Sequence, residues 1–177
     1  MNKSHNELLL LAKHNTDAAS YLRDAICSDC RRCAALISDV NRQAISDLTD
    51  AERNFLSGDR RDPSPLHILH LFVDSVSKAF SAAMLLPSYP LPHLPPLAEA
   101  AEAALDLADF AERLLTVPDR CDIYSRHLFA NKGRGAHALL ITHYCATDAG
   151  LHTLPLALAL EAHRHSLERL CDALLLV

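Results

Sequence analysis

Residues 22–55 read LRDAICSDCRRCAALISDVNRQAISDLTDAERNF. The apolar members Leu22, Ile26, Cys30, Cys33, Ile37, Val40, Ala44, Leu48, Ala51 and Phe55 recur in steps of three and four. That is the period of one face of an α-helix, whereas a strand would alternate at every second residue. Asp29, Arg32, Asp39, Arg42, Asp47 and Glu52 fall largely off this face, as an amphipathic helix requires. The mean step is roughly 3.67 residues, so the helix should run nearly straight or slightly right-handed against its neighbours.

Outward from this stretch, residues 1–57 contain neither Gly nor Pro. Ser4 followed by Glu7 reads as a capping box, and Gly58 with Pro63 beyond it supplies the stop. The pattern predicts a long N-terminal helix, with a candidate break at His14-Asn15-Thr16-Asp17, where Asn, Thr and Asp favour caps over interiors. Unbroken, it would extend about 75–80 Å, longer than a compact domain of this size, and so call for an elongated molecule or a partner chain.

A second helix should open at Ser64-Pro65 and run to about Leu86. Its apolar residues nearly encircle it, with Asp74 and Lys78 as an i,i+4 pair, which places it centrally. Pro87 to Pro96 holds five prolines and reads as a polyproline-like connecting strap. A third helix should span about Leu97–Thr116 and a short fourth about Asp119–Ala130. A fifth should run over about Ala136–Thr147, closed by Gly150, and a last should be capped by Thr153 with Pro155 in its first turn. The expected fold is a single all-α domain over residues 1–177, a helical bundle of about five or six helices. Residues 1–86 form its long-helix spine, 87–96 the strap and 97–177 a second helical half.

Composition agrees with this. Half of the 177 residues are hydrophobic, aromatics are 5 %, there is no Trp, and Gly numbers only 4. Ala and Leu, which lose little rotamer freedom in a helix, dominate. The formal net charge is −5, and no basic cluster is long enough to track a phosphate backbone, so no nucleic-acid partner is expected. The apolar run Leu8–Ala12 is too short for a secretory leader. No window reads as roughly 20 consecutive apolar residues, so no transmembrane segment is expected. The six Cys then fit a reducing, cytoplasmic setting as buried packing residues.

Two groups of residues invite a chemical reading. Cys27, Cys30 and Cys33 have metal-like spacing, and His67 and His70 stand one turn apart on the second helix; together they would make a metal- or redox-responsive regulator. Against this, Cys30 and Cys33 fall on the apolar stripe of a regular helix. No pair matches the Glu-x-x-His spacing of di-iron bundles, no nucleophile carries a recognisable local signature, and no cofactor is implied. The other group is the apolar seam Ile26, Ile37, Val40, Leu48 and Phe55 with Phe72 and Phe80, which needs a covering surface.

Residues 34–72 resemble the phasins, bacterial proteins that coat polyhydroxyalkanoate granules. The resemblance lies in Leu36-Ile37-Ser38-Asp39-Val40-Asn41-Arg42-Gln43-Ala44. It continues in Phe55-Leu56-Ser57-Gly58-Asp59-Arg60-Arg61-Asp62-Pro63 and the helix that follows. It covers less than a quarter of the chain, and residues 87–177 depart from the family pattern. It implies a non-catalytic granule-surface protein. Beside it, the residues themselves lead to the expectation of an interaction or scaffolding protein whose seam meets another copy, a helical partner or a hydrophobic granule surface.

Overall fold

The structure is a computed structural model that describes residues 3–28, 31–57, 64–88, 95–117 and 148–176. The described residues form an all-α bundle of five helices: α1 (Lys3–Ser28), α2 (Arg31–Leu56), α3 (Ser64–Leu85), α4 (Pro95–Thr116) and α5 (Asp148–Leu174). A 3-10 turn, Leu86–Ser88, extends α3.

The apolar stripe of residues 22–55 is divided between two helices. The expected long helix is two helices of 26 residues each, and the division falls after Ser28 rather than at residues 14–17. Glu7 accepts a hydrogen bond from Asn54 (3.1 Å) and His14 meets Asp47 (2.7 Å). As α1 advances from 7 to 14, α2 therefore falls back from 54 to 47, and the pair is an antiparallel hairpin. The reason is packing. Leu22, Ile26, Cys33, Ile37, Ala44 and Ala51 are all buried, which a single straight rod could achieve only against a second chain. Asn15, Thr16 and Asp17 stay helical because tertiary contacts override their weak preference for caps.

The hairpin is one edge of a larger order. α1 packs on α2, α3 and α4; α3 packs on α1, α2 and α5; α4 and α5 pack on each other. Helices α1, α3, α5 and α4 thus close a four-membered ring, and α2 lies outside it in the groove between α1 and α3. Cross-links fix the directions. Ser77 donates to Asn41 (3.0 Å) and His70 meets Glu52 (3.0 Å), so α2 and α3 are antiparallel. Thr16 donates to Glu112 (2.8 Å) and Arg23 meets Glu102 (3.3 Å), so α1 and α4 are antiparallel as well.

The expected central helix, α3, is central. Within it, Leu66–Leu85 is long and apolar enough to cross a membrane by length and composition, which corrects the expectation that no window would qualify; more than half of that window is buried inside the bundle. Its Asp74–Lys78 pair forms at 3.9 Å. α4 begins two residues earlier than expected, with Pro95 and Pro96 in its first turn, where a missing N–H leaves no bond unmade. α5 differs more. It starts at Asp148, so Gly150 closes nothing and Pro155 sits inside the helix, where it removes one backbone hydrogen bond on an exposed side. The expected helices at 119–130 and 136–147, and residues 89–94 of the strap, lie outside the described residues.

Candidate functional site

The seam residues are placed by the hairpin and the ring. Ile26, Ile37 and Phe72 are buried in the core of the single chain. Val40, Leu48 and Phe80 are half-buried against that core, and Phe55, one residue from the end of α2, is half-exposed. The chain therefore covers most of its own seam. What remains exposed and large is scattered over different helices: Leu10, Ile45, Leu56, Met84 and Leu158 among others. The outer face of α2 carries the i,i+3 pairs Asp39–Arg42 and Asp50–Arg53, both well exposed and each worth little in stability.

Among the described residues, Cys27, Cys33, His67 and His70 of the metal reading do not converge. Cys27 lies on the α4 side of α1, near Glu102, Arg23 and Asp24, and burial followed by the nearby Glu102 carboxylate pushes its thiol above the usual range. A metal-binding thiol needs the opposite, because the thiolate is the ligand. Cys33 is buried on α2, and Cys30 lies outside the described residues. His67 and His70 are exposed on α3. His70 pairs with Glu52, nineteen positions along α2 from Cys33, or about 28 Å at the helical rise. Among the described residues no three His, Cys, Asp or Glu are grouped to hold an ion.

The chemically distinctive place is a polar layer inside the bundle that the sequence reading passed over. His163 of α5 is wholly buried, and its Nδ1 lies 3.0 Å from the Ser75 carbonyl oxygen of α3 and 3.5 Å from the Ser75 hydroxyl. A carbonyl can only accept, so Nδ1 carries the proton and Nε2 presents its lone pair. Nε2 has no hydrogen-bond partner among the described residues. Burial, opposed only by the Ser75 carbonyl, pushes the imidazole down to about 4, so it is neutral at pH 7.

Asn15 of α1 is fully buried too, and neither its Oδ1 nor its Nδ2 finds a partner among the described residues. His14 meets Asp47 of α2, and α2 is registered on α3 through Asn41–Ser77 and Glu52–His70. That chain of registers puts Asn15 and Ser75 within about one helical turn of each other along the bundle. Their signal was in the sequence. Asn15 occupies the core position of the series Leu11, Asn15, Ala18, Leu22, and His163 that of Leu156, Leu160, His163, Leu167, Leu170; a polar residue on an apolar stripe marks such a layer. Because each orphaned buried polar group carries a desolvation cost of about 1–3 kcal/mol, replacing Asn15 by Leu should raise stability by about 1–2 kcal/mol. Urea titration checks this: the midpoint moves up with an unchanged slope.

Two other buried polar groups of α5 have partners among the described residues. Arg164, nearly buried on α5, is held between Glu161 and Glu168, and Cys171 donates to the Leu107 carbonyl of α4 at 3.5 Å. On α4, burial pushes the Asp109 carboxyl upward, beyond what Arg113 restores.

No protein-family model matches the chain, and neither does any curated protein.

Proposed function

We propose that this chain is a non-catalytic helical interaction protein that works by associating with other helices or with an apolar surface. The observation that supports it is the place of α2. This strongly amphipathic helix lies outside the ring α1–α3–α5–α4, and its main packing among the described helices is on α1 and α3. It does so through Cys33, Ile37, Ala44 and Ala51 at the centre, with Val40 and Leu48 at the margins. Displacing it leaves the ring in place and offers both an apolar helix and an apolar groove. An amphipathic helix of this kind binds an interface by laying its apolar face into it. The phasin-like stretch at residues 34–72 falls on α2 and the start of α3, and it points to the same kind of surface, a hydrophobic granule in a bacterial cytoplasm.

The metal or redox reading draws no comparable support, since among the described residues Cys27, Cys33, His67 and His70 sit on different faces and at separate levels. The test of the interaction reading has two arms. Light scattering behind a sizing column reports mass across a concentration series. Sedimentation with protein-free polyhydroxyalkanoate particles or triolein emulsion reports adsorption. The reading expects concentration-dependent assembly or saturable adsorption. A monomer at every concentration that also ignores both surfaces would overturn it.

A further inference from the structure

We infer that α1 exchanges between two copies of this chain, so that the α1–α2 hairpin opens into one continuous helix in a dimer. This rests on the interaction reading and names its partner, a second copy. Three observations carry it. First, the chain from residue 3 to 56 holds no Gly and no Pro, and the apolar stripe keeps its helical step straight through the joint: Leu22, Ile26, Cys30, Cys33, Ile37. A joint built to stop a helix would carry a breaker and lose the register. Second, only two positions separate the end of α1 from the start of α2, the short end of the roughly two to five residues of an αα-hairpin, and exchange of an identical element between copies is a low-cost route to a dimer. Third, among the described helices α1 is tied to α2–α5 through this joint alone. Its contacts all run to helices beyond it: Glu7–Asn54 and His14–Asp47 to α2, Thr16–Glu112 and Arg23–Glu102 to α4. Each of these forms identically when α1 comes from a second copy.

In the exchanged state α1 of one copy occupies the cradle of α2, α3 and α4 in the other. Leu11, Ala18, Leu22 and Ile26 are buried as before, and the two continuous helices lie antiparallel across a two-fold axis. The closed and exchanged forms bury the same seam, so the joint decides between them. Ala outranks Ser and Asp as a helix former. The double variant Ser28→Ala with Asp29→Ala should therefore raise the dimer association constant by about tenfold, and Asp29→Pro, which no helix interior tolerates, should abolish the dimer.

The experiment uses the full chain with spin labels introduced through unnatural amino acids at the exposed positions Asn6 and Arg53, diluted into unlabelled protein. Adjoining helices in the hairpin keep the two labels close; a continuous helix separates them by about 70 Å. The expected result is a short distance in the monomer fraction and the long distance in the dimer fraction, enriched in the double-alanine variant. A dimer whose labels stay close would overturn the exchange while leaving the interaction reading standing. A double-alanine variant that stays monomeric at all concentrations would also overturn the exchange, and the adsorption arm then decides the interaction reading separately.

Discussion

Ile37→Asp should unfold α2 from the bundle and cost the protein about 4 kcal/mol or more. Ile37 has 0 % of its surface exposed, and it sits where α2 closes over α1 and α3. A carboxylate there loses its water and gains no partner, so it either stays protonated at a penalty or drags the helix into solvent. Against a total stability of about 5–15 kcal/mol, that is a large fraction. The control lies two turns away on the same helix. Ile45 is 47 % exposed, and Ile45→Asp should stay within about 0.5 kcal/mol of the parent. Thermal and urea denaturation of both variants measure the contrast. Equal losses at the two positions would mean that α2 does not pack as described.

Acid should destabilise the protein through His163 by about 3 kcal/mol between pH 7 and pH 4. The sign follows from where the protons go. In the folded chain the imidazole is held neutral down to about 4, while in the unfolded chain it titrates near 6.5. Between those values the unfolded state binds more protons, so stability falls as the pH is lowered, at up to about 1.4 kcal/mol per pH unit. Asp109 acts in the opposite direction, because a carboxyl pushed up by burial gains folded-state stability on protonation. The measurement is therefore a difference. Denaturation of the parent and of His163→Leu is followed across pH 4–7.5, and the gap between the two curves should widen by about 3 kcal/mol toward the acid end. Parallel curves would show that the ring is not sealed from water.

The helical class was legible in the opening stretch because periodicity is a local property: Ile37, Ala44 and Ala51 share a face whatever they touch. That the chain reverses direction between α1 and α2 was not legible, and the reason is the same. Neither Gly nor Pro marks it, and the stripe passes through it in step, so only the competition between closing on α3 and α4 and extending toward a second chain determines the bend. The polar layer was half legible. Asn15 and His163 each sit visibly on an apolar stripe, but that the His163 ring would rest on the Ser75 carbonyl, level with Asn15, depends on how five helices register. Likewise the spacing of Cys27 and Cys33 suggested a shared ligand, yet the hairpin sends one thiol toward α4 and the other into the core.

The position of α1 also governs the order of events at the ribosome. Of the five helices it is made first, yet it touches α2, α3 and α4 in the finished protein. While the chain is still growing, α2 is the earliest mate to emerge, so the hairpin can zip locally before α4 exists. For that interval the side of α1 destined for α4, with Thr16 and Arg23, stays uncovered. On a crowded polysome, the nascent chain next door offers the nearest alternative cover.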